Sequence, residues 1–153
     1  MEKVYVFDLD GTLADVTHRL HHIEKKPKDW QAFFDACDKD APIQWVVDLF
    51  QQVVFCAGDD AWVIILSGRA EHTRAKTEAW LKKHAIVGHE KLIMRKAGDF
   101  RPDEIIKPEL LQGFLDEHPN AAVEFIVDDR QRVVDMWRAK GYNVLQCNAW
   151  KEN

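Results

Sequence analysis

Nowhere in this chain is there an apolar run approaching the roughly 20 residues a membrane-spanning helix needs. The longest, Trp62 to Leu66, is the length of a strand. The opening "MEKVYVFD" enters a strand directly and lacks the layout of a secretory signal. Cysteines number three (Cys37, Cys56, Cys147), are far apart and lack CxxC spacing, which argues against a disulfide framework or a thiolate zinc site. Buried free thiols in a reducing cytoplasm are the expectation. Excess positive charge is missing too: the net charge is −5 and the pI is near 5.8. Coating nucleic acid by bulk electrostatics is therefore excluded. No GxxxxGK(S/T) occurs, so no phosphate-binding loop of that kind is present. Repeats and low-complexity segments are absent as well.

What is present is an ordinary globular composition, 46% hydrophobic and 31% charged over 153 residues, enough for one domain with a sizeable core. Apolar runs at Val4–Phe7, Trp62–Leu66, Lys91–Met94, Val123–Val127 and Asn143–Gln146 read as strands. Helices are expected from Pro42 to about Gly58, Glu71 to Ala85, Pro108 to His118 and Arg130 to Lys140. Residues 14 to 41 read as irregular with helical pieces and no strand. The alternation of strand and helix predicts an α/β fold: a doubly wound (Rossmann-like) parallel sheet, helices on both faces, and residues 15–41 as a small cap-type insertion after strand 1, in a single domain spanning 1–153.

In such sheets ligands bind beyond the carboxyl ends of the strands, and polar residues gather there. The first strand ends in Asp8 and Asp10, the second in Ser67-Gly68-Arg69, the third in Arg95 and the fourth in Asp128-Asp129. Four carboxylates at one edge repel one another unless a cation sits among them, and Mg²⁺ takes a few carboxylate oxygens while keeping waters. Asp128-Asp129 alone also fits a helix N-cap, and Arg69 alone fits a surface ion pair. Ser67, with neighbouring backbone N–H groups, suits phosphate oxygens. Lys107 precedes Pro108 and is expected at a helix N-terminus, where an anion would offset its charge. "HRLHHIEKKPK" (18–28) carries four basic residues against Glu24 and reads either as a solvated loop or as a cationic rim beside the acids. Trp30 and Phe34 either staple the insertion to the core or stack on a base.

"DLDGTLAD", followed in order by Ser67, Lys107 and Asp128-Asp129, resembles the four motifs of the haloacid dehalogenase-like hydrolases. From Ile64 onward, "SGR", "MRKAGDFRPDEIIKPE" and "IVDDRQRVVDMWRAKG" are similar to the 3′-phosphatase domain of bacteriophage polynucleotide kinase-phosphatase. The resemblance implies that Asp8 is the nucleophile and that Asp10 handles protons and lends its carbonyl to Mg²⁺. It implies that Thr12, Ser67 and Gly68 hold phosphoryl oxygens and that Lys107 neutralises charge. Asp128 and Asp129 would bind Mg²⁺, while Arg69 and Arg95 would contact substrate. The segment from Asp15 to Pro42 departs from that pattern and leaves substrate choice open.

The expected function is a Mg²⁺-dependent phosphomonoesterase acting on 3′-phosphates of nucleic-acid ends or nucleotides, in the cytoplasm, with no membrane or obligate protein partner called for. The alternatives are a small-molecule phosphatase such as a 5′(3′)-nucleotidase, a non-catalytic phosphate-binding module, and a phosphoacceptor signalling domain.

Overall fold

The computed structural model describes residues 1–149. Five parallel strands form the sheet: β1 (Glu2–Phe7), β4 (Ala61–Ala70), β5 (Lys91–Arg95), β6 (Ala121–Asp128) and β7 (Val144–Gln146), in the order β5-β4-β1-β6-β7. β1 is central and apolar throughout its second half because both faces are covered. Its alternation divides the core: Tyr5 and Phe7 pack on one side with Val63 and Ile65, and Val4 and Val6 pack on the other with Ile64 and Leu66.

Helices α3 (Gln44–Ala57) and α4 (Arg74–Lys83) cover the first face, with Val46, Val47, Phe50, Trp80 and Leu81 buried against it. Helices α5 (Asp103–Glu117) and α6 (Gln131–Ala139) cover the second through Leu111, Phe114, Val133 and Trp137. The chain thus winds from β1 towards β5 over one face and returns to β6 and β7 over the other. Its direction reverses at β1 and β6, which is where a doubly wound sheet opens a crevice for ligands.

Between β1 and α3 lies the most individual part of the chain. Ala14–Asp15 (β2) pairs antiparallel with Ala41–Pro42 (β3), and the stretch between them holds α1 (His21–Glu24), α2 (Trp30–Asp35) and two 3₁₀ turns. This corrects two expectations: residues 14–41 do contain strand, and Pro42 ends that pairing while the helix starts at Gln44. Pairs two residues long carry no periodicity, so no sequence pattern marks them. The insertion is docked on α4: Lys76 Nζ donates to the Asp35 carbonyl (2.9 Å) and Trp80 Nε1 to that of Asp40 (2.7 Å).

Two further corrections concern local detail. α5 begins at Asp103, five residues ahead of Pro108, which lies inside it. Asp103 and Glu104 favour the first turn through the helix dipole, and the buried Ile106 and Lys107 hold the segment helical despite the following proline. Of the three thiols Cys37 is buried and Cys147 partly buried, but Cys56 is exposed. Among the described residues, no helix is long and apolar enough to cross a membrane.

Candidate active site

Directly after β1 the chain makes a helical turn, with Thr12, Leu13 and Ala14 donating backbone N–H groups to the Leu9 carbonyl. Asp8, at the strand end, projects into the crevice and Thr12 folds back over it: Thr12 Oγ1 lies 3.2 Å from Asp8 Oδ2 and 3.4 Å from Asp129 Oδ1. Gly11 enables this turn. Its φ is +80°, and a Cβ there would fall 2.0 Å from Asp129 Oδ2, so any side chain would displace the acid. Gly68 has a similar reason, since its missing Cβ would lie 2.4 Å from Asp103 Oδ1.

Asp8, Asp128 and Asp129 are all buried, and one ligand oxygen from each falls within 4.8 Å of the others. Lys107 reaches them from α5, its Nζ 2.9 Å from Asp8 Oδ1 and 3.1 Å from Asp128 Oδ2. Lys107 thus meets its anionic partners from the fifth position of a helix, not from the N-terminus expected. Asp128 Oδ1 also accepts the N–H of Asp129 (2.9 Å).

One cation among three buried carboxylates leaves a formal excess of two negative charges. Burial and the neighbouring Asp128 push the Asp8 carboxyl well above its usual range, against the pull of Lys107. Asp129 is raised to about 7, again by burial and Asp128. Burial acts to lower the Lys107 ammonium, but Asp128 and Asp8 prevail and hold it protonated. A donor set of close carboxylate oxygens in this state suits a hard divalent cation such as Mg²⁺. The carboxylate of Asp10 is not in this set.

Asp10 instead faces Arg19 and Arg69. Arg19 Nη2 donates to Asp10 Oδ1 at 2.9 Å and Arg69 Nε to the same oxygen at 2.8 Å. Both arginines also donate to Asp40 Oδ2, at 2.7 and 2.8 Å. Burial works to raise the Asp10 carboxyl, but the two guanidiniums overturn it and hold it below its usual range. His18 Nε2 lies 2.7 Å from Asp40 Oδ1, and Arg69 Nη1 donates to Thr77 (3.2 Å).

Arg69 is therefore fully buried, with donors engaged inside the protein. Arg95 is engaged as well: its donors reach the carbonyls of Gly68 (2.8 Å), Asp99 (3.1 Å) and Arg101, and the Asp103 carboxylate. It ties the loop after β5 to the irregular end of β4, whose register shifts between Ser67 and Ala70. Ser67 is buried at the same edge, its Oγ accepting the Arg69 N–H at 3.1 Å.

Asp40 carries no signal in the sequence, and Arg19 stands out there only as one of the four basic residues of the 18–28 stretch. Arg19 sits in a polar basic stretch, yet Val16 and Leu20 around it have the spacing of a helical turn facing inward. Nothing local distinguishes Asp40. Cys147 lies 3.6 Å from Thr12 Oγ1, and burial pushes its thiol up to about 12, so it stays neutral beside the site.

The model of the polynucleotide kinase PNKP phosphatase domain matches residues 2–150. The chain belongs to this family. It is a phosphatase domain of the haloacid dehalogenase-like fold. A chain in the structure of a Pnkp1/Rnl/Hen1 complex is 33% identical with a TM-score of 0.77, over 99% of this chain and 48% of that one. A protein of Autographa californica nuclear polyhedrosis virus, named "Putative bifunctional polynucleotide kinase/RNA ligase", is 30% identical over 89% of this chain and 18% of its own length. A haloacid dehalogenase-like hydrolase from Streptococcus pneumoniae shares the fold at 12% identity, with a TM-score of 0.62 over 95% of this chain and 84% of its own. This chain thus spans about half of the chain in the Pnkp1/Rnl/Hen1 complex, also described as an RNA repair complex, and under a fifth of the viral protein.

Proposed function

We propose that this chain is a Mg²⁺-dependent phosphomonoesterase that forms an aspartyl-phosphate on Asp8 and removes 3′-phosphates from nucleic-acid ends. The observation that carries this reading is the Asp8 carboxylate, fixed by Lys107 and Thr12 beside Asp128 and Asp129 at the sheet's switch point. Asp8, Asp128 and Asp129, with the Asp10 carbonyl, would hold Mg²⁺, which when bound neutralises phosphoryl oxygens.

In the first step an Asp8 oxygen bonds to phosphorus while the bond from phosphorus to the leaving oxygen breaks, and that oxygen takes a proton from Asp10. In the second step water attacks the phosphoryl group, Asp10 takes its proton, and Asp8 is regenerated with release of inorganic phosphate. The resting geometry suits the second step, because Arg19 and Arg69 keep Asp10 ionised. In the first step the charge of the incoming phosphate ester opposes those guanidiniums and raises the proton affinity of Asp10. Lys107 compensates the charge that passes between Asp8 and the phosphoryl group, and Ser67 and Thr12 offer hydroxyls to its oxygens.

The nucleic-acid end is taken from the family and from the repair proteins among the relatives. Removal of a 3′-phosphate leaves the 3′-hydroxyl that strand sealing requires, which fits a partner protein of ligase type. The test is phosphate release from 3′- and 5′-phosphorylated oligonucleotides and from mononucleotides, with Mg²⁺ or with EDTA. The 3′-phosphorylated strand should be preferred, EDTA should stop turnover, and Asp8→Asn should abolish it with the fold intact. Equal or better turnover of mononucleotides would favour a nucleotidase, and no Mg²⁺-dependent release from any ester would overturn the enzyme reading.

A further inference from the structure

The basic stretch 18–28 divides in two in the structure. Arg19 turns inward and is fully buried, whereas Lys25, Lys26 and Lys28 are exposed on the connection between α1 and α2. The aromatic residues that follow divide in the same way. Phe33 is buried, with the Arg19 guanidinium 4.3 Å from its ring centroid, and it staples the insertion to the site. Trp30 is left 48% exposed. Its ring lies near-parallel to Phe34 (28°, centroids 6.1 Å apart) and edge-on to Phe33 (5.8 Å), with Lys28 Nζ 5.6 Å from its centroid. The contacts therefore run inward from Lys28 through Trp30, Phe33 and Arg19 to Asp10.

We infer that this face of the insertion is a docking surface for single-stranded nucleic acid, on which Trp30 stacks with a base of the strand whose 3′-phosphate lies at Asp8. The inference rests on the proposed function and deepens it. Lys25, Lys26 and Lys28, all exposed, outnumber the exposed Glu24 and Asp29 over residues 24–29, a local excess of positive charge on a chain of net charge −5. Backbone phosphates complement that excess, and bases complement a flat, half-exposed indole that Phe33 and Phe34 hold from beneath. A duplex fits less well, because its bases already stack on one another. The stapling role is filled by Phe33, so the exposure of Trp30 is not needed to anchor the insertion.

The surface is tested by comparing kcat/KM for a 3′-phosphorylated single strand of about eight nucleotides with that for a 3′-mononucleotide. Hydrolysis of p-nitrophenyl phosphate scales each variant for the state of its catalytic centre. Trp30→Ala should reduce the advantage of the strand about 5- to 100-fold, mostly through KM, and Trp30→Phe should retain most of it. Replacing Lys25, Lys26 and Lys28 together by Gln should flatten the dependence of log(kcat/KM) on log[salt] by about 2. Fluorescence anisotropy with the same strand ending in a 3′-hydroxyl reads the surface without turnover, so it can succeed or fail independently of the enzyme reading. The inference is overturned if the wild type shows no preference for the strand, if Trp30→Ala keeps that preference, or if the triple lysine variant binds the 3′-hydroxyl strand with unchanged affinity and salt slope.

Discussion

Two groups of charges meet on one loop, a buried one at Asp8 and a mostly buried one at Asp10, and they are built on opposite principles. Around Asp10 the charges cancel: two carboxylates, Asp10 and Asp40, share two guanidiniums, Arg19 and Arg69, at 2.7–2.9 Å. Around Asp8 they do not: Asp8, Asp128 and Asp129 have Lys107 alone. A balanced group satisfies its members at once and holds the insertion, the loop and β4 in fixed relation. An unbalanced one keeps a demand for positive charge at the place where a phosphate ester and its cation must arrive. Buried charge left uncompensated points to chemistry, and the compensated group beside it positions that chemistry.

The sharpest way to break the comparison is to unbalance the balanced group. Arg19→Met leaves the buried Asp40 and the partly buried Asp10 with a single guanidinium, and removal of one partner from a buried ion pair, here Arg19 with Asp40, costs about 3–5 kcal/mol. In a chain of this size that should lower Tm by roughly 10 °C or more, read by thermal unfolding with and without Mg²⁺. Because the loss lies outside the metal cluster, Mg²⁺ should not restore it. Lys107→Met provides the contrast. It deepens an existing excess of negative charge, so the metal-free protein is destabilised, while Mg²⁺ recovers much of the Tm and none of the turnover. If Mg²⁺ rescues both variants equally, the two groups are not distinct.

A smaller effect sharpens the other side. In the folded, metal-free protein Asp129 titrates at about 7, raised by burial and Asp128 from an ordinary 3.8. Between those values the folded chain holds a proton that the unfolded chain has released, so the stability of metal-free protein should fall as pH rises from about 4 to 7. Asp8 is shifted in the same direction and adds to the slope. Tm measured against pH in EDTA should show this decline, Asp129→Asn should remove part of it, and saturating Mg²⁺ should flatten it. A slope unchanged in Asp129→Asn would mean that the acids are not strained against one another.

Most of the unbalanced group is legible in the sequence; of the balanced one Asp10 and Arg69 stand out as residues, but their pairing with Arg19 and Asp40 does not. Asp8 and Asp128-Asp129 each follow an apolar run, and the rule that parallel sheets bind ligands at their carboxyl ends brings them together without further information. Lys107 was recognised by its charge but given the wrong place on its helix. The local rule about residues before proline yields to two buried ion partners that only the tertiary structure supplies. Arg19 and Asp40 lie 21 residues apart in a stretch without strand-like periodicity, and their meeting depends on the two-residue pairing of β2 with β3. Arg69 and Arg95 carried the same ambiguity: an arginine at a strand end looks alike whether it faces a ligand or clamps a neighbouring loop. What the structure adds is their partners: Arg69 reaches Asp40, 29 residues away, and Arg95 reaches Gly68, 27 residues away.

The smallest expected effect comes from a third charged group, which asks whether burial or simple proximity makes the difference. Arg101 pairs with Asp99 (2.8 Å) and Glu109 (2.7 Å) in a geometry as close as any in the buried groups, but at the surface. Its hydrogen bonds hold the Asp99 carboxyl down to about 2, so any stabilisation from Asp99 is present at neutral pH and is lost only as pH falls through the range from 3.8 towards 2. Water and salt screen such a pair, and long side chains lose entropy in making it. Glu109→Gln should therefore leave Tm at pH 7 within measurement error at physiological salt, and leave phosphate release unchanged. A fall in Tm comparable to that of Arg19→Met would show that ion-pair geometry alone carries the stability. The contrast between the Asp8 and Asp10 groups would then have to rest on contacts other than buried charge.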